Sequence, residues 1–317
     1  MLGRHFTTLA GLAPADFIDL LDVADYLKKR RGAGIAELAL AGRSLAMIFE
    51  KPSLRTRVSF EVGMSELGGR ALYLSRDEVG LGKREAVEDV ARVLSRYVHG
   101  IMVRTFAHDT VEALARHATV PVINGLSDAV HPCQALADFQ TIRERCGRID
   151  GLTVVFIGDA NNVSRSLANA CVLAGSRFVL ACPAAYRFTE ADQRAFGVAW
   201  GTAVRQVHDP VAAVQGAHVL YTDVWTSMGQ EAEREERLRA FAGYQINAQL
   251  LARAAPGALV LHCLPAHRGE EITHEALEGP QSAVFDQAEN RLHAQKAIMR
   301  LLLADDRERV IAAARNR

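Results

Sequence analysis

The sequence has no apolar run approaching the roughly 18 residues that cross a bilayer; its richest stretches, Leu152 to Ile157 and Ala258 to Leu261, are strand-sized. No membrane partner is expected. It has no excess of either charge, with Lys plus Arg and Asp plus Glu at 37 each, so no global field gathers a polyanion or an anionic surface. Nucleic acid is not expected as a partner. It has no CxxC pair, and its five cysteines (Cys133, Cys146, Cys171, Cys182 and Cys263) are an odd number in a large chain, which suits a reducing compartment better than a disulfide framework. The N-terminal residues reach Asp16 and an amphipathic pattern before an adequate signal core forms, so no export signal is read and the cytoplasm is the expected location. Internal repeats and low-complexity tracts are lacking too, and the composition speaks against disorder or a fibrous repeat.

What is present is material for two packed domains. A length of 317 residues exceeds one ordinary ~150-residue domain, and 49% apolar with 23% charged residues is a globular composition. Short β-rich runs alternate with helical patterns, the sequence form of an α/β fold. Two doubly wound domains are predicted, each a parallel sheet flanked by helices. Strands are predicted at 44–49, 70–74, 100–104, 120–124, 152–157, 177–181, 218–222 and 259–262, and the clearest helices at 56–67, 87–97, 133–145, 164–173 and 291–303. The run CGRIDG at 146–151 marks a boundary, giving domains 1–147 and 148–290, with a final helix over about 291–317 free to return to the first. The charge run EAEREERLR at 231–239 reads as a solvated helix face.

The first strand passes through Glu50-Lys51-Pro52 into Ser53-Leu54-Arg55-Thr56-Arg57 and directly into a helix. A helix N-terminus offers unpaired N–H groups and about half a positive charge. Two hydroxyls and two guanidinium forks added there make an anion site; a plain capped helix with surface arginines is the alternative. His131-Pro132-Cys133-Gln134 opens another helix after a predicted strand, and Arg104 ends a third strand. Open parallel sheets hold ligands at these ends. Arg55, Arg104 and His131 together suit a small doubly charged phosphate ester or anhydride.

In the second half, strand 152–157 leads into Gly158-Asp159-Ala160-Asn161-Asn162-Val163. A dinucleotide fingerprint needs glycines where Ala160 and Val163 stand, so a nicotinamide cofactor is disfavoured, and the Asn pair offers amide donors to a carboxylate or simply forms a turn. Asp223 ends strand 218–222 and is placed to meet an ammonium group, with Ser227 in the following turn. His262-Cys263-Leu264-Pro265, with His267 nearby, leaves open a metal site or a Cys263 nucleophile with a histidine base, although no second cysteine pair or carboxylate cluster accompanies it.

Taken together these segments resemble the aspartate/ornithine carbamoyltransferase family across both halves of the chain. The family's SxRTR motif appears as Ser53 to Arg57, HPxQ as His131 to Gln134, and its late arginine as Arg291. Within the family, Asp223 to Gly229 looks like the DxxxSMG loop of the ornithine branch and His262 to Pro265 like its HCLP motif. The resemblance implies an active site in the interdomain cleft. Carbamoyl phosphate would be held by Ser53, Leu54, Arg55, Thr56, Arg104, His131, Gln134 and Arg291, with backbone carbonyls of Cys263 and Leu264 receiving its NH2. Ornithine would be held by Asn162, Asp223, Ser227 and Met228, and Arg104, His131 and Cys263 would act in catalysis. It implies neither metal nor organic cofactor, and a homotrimer or a multiple of trimers. Other acceptors (putrescine, N-acetylornithine, aspartate) and a non-catalytic phosphate-binding paralogue are the alternatives. One departure stands out: Gly80 occupies the place where ornithine enzymes commonly carry a Gln that reaches a neighbouring subunit's site, with Lys83 close by.

Overall fold

The computed structural model describes residues 3–227, 229 and 231–316. The first half runs α1 (Pro14–Gly32), β1 (Ser44–Phe49), α2 (Leu54–Glu66), β2 (Arg70–Ser75), α3 (Arg76–Val79), α4 (Val87–Tyr97), β3 (Gly100–Arg104), α5 (His108–His117), β4 (Val122–Leu126) and α6 (Pro132–Cys146). Next come β5 (Thr153–Ile157), α7 (Asn162–Leu173), β6 (Arg177–Ala181), α8 (Glu190–Phe196), β7 (Val204–Val207), α9 (Pro210–Ala213), β8 (Val219–Thr222), α10 (Arg234–Ala240), α11 (Ala248–Leu251), β9 (Leu259–His262) and α12 (His274–Glu278). Two helices close the chain, α13 (Val284–Leu303) and α14 (Arg307–Arg315).

The elements form two compact units, Met1–Gln140 with Glu289–Arg317 and Thr141–Ala288. The first contains a parallel sheet ordered β2-β1-β3-β4, the second a parallel sheet ordered β7-β6-β5-β8-β9. In each, the chain winds outward from its first strand and then crosses back to the other side. That reversal leaves a crevice at the carboxyl ends of β1 and β3 in one unit and of β5 and β8 in the other. The central strands are apolar on both faces: Leu45 to Phe49, Ile101 to Val103, Val154 to Ile157 and Val219 to Tyr221 are all buried.

The sequence did not announce β7. Its four residues, VRQV, bury only Val204 at the sheet edge, so no apolar run marks them. The C-terminal segment is not the single helix expected over 291–317. It begins at Val284 and breaks at 304–306, where Asp306 pairs with Arg300 at 2.7 Å. The charge run at 231–239 is solvated at Glu233 to Glu236, as expected, but Arg237 is buried. Gly80 caps α3 at φ 61°, and a Cβ built on it would meet Arg84 Cβ at 2.7 Å, so the local backbone favours glycine where a longer side chain is common.

Candidate active site

In the first unit, Ser53 adopts extended backbone and caps α2, its Oγ accepting from Thr56 N–H at 3.3 Å; such a cap contributes about 1 kcal/mol. The chain thereby turns sharply off β1 and presents the helix N-terminus at the crevice. Leu54 projects outward and is 76% exposed, which leaves its backbone rather than its side chain to contribute. Arg57, the second fork of the motif, turns away: it pairs with Glu61 and lies over the Tyr73 ring at 3.9 Å. Arg55 stays near the crevice. At the next strand end the pairing of β3 with β4 skips from Asn124 to Leu126, a bulge at Gly125 that re-aims the edge beside Arg104. A Cβ on Gly125 would meet Met102 Sδ at 2.6 Å.

Arg291 on α13 joins two of these segments. Its guanidinium donates to Gln134 Oε1 at 2.6 Å and to Thr56 Oγ1 at 3.2 Å, while Gln134 Nε2 donates to Asp138 at 2.8 Å. Beside them His131 is buried, and its pKa is driven well below the ordinary histidine value by burial first and then by Arg291, Arg104 and Arg55. The imidazole is uncharged at neutral pH. Arg291, Arg104 and Arg55 are thus its charged neighbours, and Arg291 is tied by hydrogen bonds to Gln134 and Thr56. Lys51, which the sequence reading passed over, belongs to the same neighbourhood; it sits 4.0 Å from the Phe106 ring centroid, and burial and Arg104 lower its pKa. Cys133 is not reactive: burial pushes its thiol up to about 12, and it donates to Asn124 O.

In the second unit, Asn161 caps α7, with Oδ1 accepting from Val163 and Ser164 N–H at 2.9 Å each. Its Nδ2 donates to Asp223 Oδ2 at 3.2 Å, across the crevice between β5 and β8. The Asn pair therefore divides its work: Asn161 is structural, and Asn162, first residue of the helix, is half-buried at the crevice. Asp223 also accepts from its neighbour Val224 N–H and from Cys263 Sγ–H at 3.1 Å. Ser227 follows in the loop after β8, and Met228 lies outside the described residues.

The HCLP segment after β9 is held by a residue the sequence reading missed. Leu264 N–H donates to His262 Nδ1 at 2.9 Å, which assigns the ring proton to Nε2, and Nε2 meets Glu271 Oε1 at 3.0 Å. The same Glu271 oxygen accepts from His267 N–H at 2.6 Å, so one fully buried carboxylate clamps both ends of the loop. Leu264 takes φ 59°, unusual for a residue with a side chain, and the clamp holds it there. Glu271 gave no signal in the sequence because one carboxylate in the run Glu270-Glu271 looks like any surface acid.

Two groups of donors could approach a metal ion: Asp223, His262 and Cys263, and His267, Glu270 and Glu271, each group with donor atoms within 4.8 Å of one another. In the first, both ring nitrogens of His262 and the thiol of Cys263 already serve protein partners, so a metal would have to displace them. A His262 base for a Cys263 nucleophile fails for the same reason: the thiol faces Asp223 instead.

Two doubly wound units, one placing arginines around a buried uncharged histidine at its strand ends and the other placing Asp223 against the Cys263 thiol at its own, have the form of an α/β enzyme that holds a small anion. Residues 4–144 match the family model for the aspartate/ornithine carbamoyltransferase carbamoyl-P binding domain, and residues 150–302 the model for the Asp/Orn binding domain. The chain belongs to the aspartate/ornithine carbamoyltransferase family. It is 55% identical over 303 residues to the ornithine carbamoyltransferase of Acidothermus cellulolyticus, covering 95% of this chain and 96% of that one. It is 53% identical over 302 residues to that of Methanoculleus marisnigri, covering 91% and 97%. Among solved structures, ornithine carbamoyltransferase from Pyrococcus furiosus matches with a TM-score of 0.90 at 49% identity, over 95% of this chain and 97% of that one.

Proposed function

We propose that this chain transfers the carbamoyl group of carbamoyl phosphate to the δ-amine of L-ornithine, giving L-citrulline and phosphate. The observation that carries the reading is the convergence of Arg55, Arg104 and Arg291 on the buried, uncharged His131. A phosphate dianion taken out of water alone costs many kcal/mol, and several guanidinium forks with helix N–H donors make its burial tolerable. In this reading residues 1–147 and the segment from 291 bind carbamoyl phosphate and residues 148–290 bind ornithine. The phosphate rests on Ser53, Leu54 backbone, Arg55, Thr56 and Arg104; His131 and Gln134 address the carbamoyl group, with Arg291 holding Gln134 and Thr56 in place.

Asp223 meets the α-ammonium of ornithine, and Asn162, Ser227 and Met228 its carboxylate. The δ-amine, with an ordinary pKa of ~10.4, is free base in only about one molecule in 10³ at pH 7, so turnover should rise with pH toward alkaline values. As it attacks the carbamoyl carbon, charge grows on the carbamoyl oxygen, where Thr56, Arg104 and the uncharged His131 supply hydrogen bonds; phosphate then leaves. Cys263 and Leu264 receive the carbamoyl NH2. The reading extends to a homotrimer or a multiple of trimers acting in the cytoplasm in arginine biosynthesis. The test is a ureido-product assay with carbamoyl phosphate against ornithine, aspartate, putrescine and N-acetylornithine in parallel. Citrulline from ornithine at a kcat/KM well above the other three supports it; binding without any ureido product, or a preference for another amine, overturns it.

A further inference from the structure

The charge run at 231–239 contains one residue that does not behave as surface. Arg237, 3% exposed, donates through Nε to the backbone carbonyl of Trp225 and through a terminal nitrogen to Asp159 Oδ2. Its guanidinium carbon lies 4.7 Å from the Tyr186 ring centroid and 5.8 Å from that of Phe241, and Glu233 pairs with it from one turn back. The Trp225 indole stacks on Phe241 at 5.7 Å. Trp225 is therefore gripped twice, at its carbonyl by Arg237 and at its ring by the aromatic group on which Arg237 rests.

The segments so joined are those given the amino acid in the reading above, on which this inference rests. Trp225 leads to Ser227. Asp159 opens the turn to Asn161, which donates to Asp223, and the turn is held from its other side by Ala160 N–H donating to Tyr186 O. We infer that Arg237 is the positioning residue of the amino-acid site: it sets the loop after β8 against the turn after β5 and thereby determines affinity for the acceptor without touching it. A guanidinium is needed because one planar fork serves a carbonyl, a carboxylate and two ring faces at once.

The experiment exploits the chain's two tryptophans. Trp200 packs against Phe188 and Phe196 rather than Phe241, so Trp200→Phe leaves Trp225 as the reporter. In that background Arg237→Met, which keeps an unbranched apolar stem, should raise KM for ornithine roughly tenfold or more, the loss expected for hydrogen bonds to a charged group. Carbamoyl phosphate affinity should stay within about twofold, and Trp225 emission should shift to the red. Arg237→Lys retains the charge and is expected to give a smaller KM rise; it also serves if the Met variant does not fold. Unchanged ornithine KM and unchanged emission overturn the inference, as does an equal loss of affinity for both substrates, which would make Arg237 a general structural residue. If the Trp200→Phe parent itself makes no citrulline, the functional reading fails, while the emission comparison still decides whether Arg237 anchors the loop.

Discussion

At the strand ends of the first unit the charged side chains around His131 are cations: Arg291, Arg104 and Arg55 each help to keep that ring unprotonated, and Lys51 lies beside Arg104. At the equivalent place in the second unit they are carboxylates. Asp159 is raised by burial and, to a lesser degree, by the nearby Asp223, and Glu271 clamps the loop that carries Cys263. The two units share a winding pattern and place their side chains at the same topological feature, so the fold does not choose the ligand. The sign of the charge does. Each unit also balances its excess by an inward residue of opposite or adaptable character: Gln134 and Thr56 receive Arg291, and Arg237 neutralises Asp159.

The largest effect is expected from Arg291→Ala. It strips Gln134 Oε1 and Thr56 Oγ1 of a buried charged donor and removes a cation from the cage, so kcat/KM for carbamoyl phosphate should fall on the order of 10²- to 10³-fold, alongside a destabilisation of about 1–3 kcal/mol. Steady-state kinetics varying carbamoyl phosphate at saturating ornithine would check it; a loss confined to ornithine KM would erase the contrast between the units. Next is Glu271→Ala, which leaves the buried Nε2 of His262 and the His267 N–H without an acceptor. A destabilisation of about 2–3 kcal/mol is expected by urea unfolding, with Glu271→Gln recovering much of it; equal losses in both variants would point to charge rather than to the clamp.

Individual buried groups in the two units should also answer acid oppositely. His131 has a folded pKa well below its unfolded value, and His293, buried in α13, is lowered to about 4. For such groups the unfolded chain binds the proton more readily, so stability is fully present above about pH 6.5 and declines as pH falls toward the folded values. Asp159 runs the other way: burial pushes its carboxyl up to about 6 against an ordinary 3.8, so between those values the folded state holds the extra proton. Its contribution favours the fold at low pH and is lost as pH rises through about 6. Unfolding midpoints measured from pH 4 to 7.5 should therefore lose more on acidification in Asp159→Asn than in the parent; an identical profile would remove Asp159 from the balance. The smallest effect is assigned to Cys263→Ser, whose hydroxyl can still donate to Asp223 Oδ1. A change in kcat of less than about tenfold is expected, whereas loss of all turnover would restore covalent chemistry at sulfur.

Legibility in the sequence followed burial. Apolar runs such as Leu45 to Phe49 and Val154 to Ile157 lie in the middle of sheets and declare themselves as strands, and Ser53 to Arg57 could be placed at a helix start because a serine cap and a helix pattern are both local features. Strand β7 was silent because an edge strand needs only one buried side chain. Arg237 and Glu271 were silent for a related reason: a charged residue reads as solvated unless its partner is known, and theirs, Asp159 and His262, are 78 and 9 residues away. The choice of Asn162 over Asn161 could not be split into ligand and cap without the helix boundary. Arg57, in contrast, looked like a second phosphate fork and is spent on Glu61 and Tyr73.

The most direct measurement is calorimetric titration of carbamoyl phosphate into the wild-type chain, Arg55→Ala and Asp223→Asn, with no amino acid present. Binding should be nearly abolished by Arg55→Ala and unchanged within about twofold in Asp223→Asn, whose loss should appear only when ornithine is titrated onto the preformed complex. Undiminished carbamoyl phosphate binding in Arg55→Ala, or its disappearance in Asp223→Asn, would contradict the division of anion and amino acid between the two units.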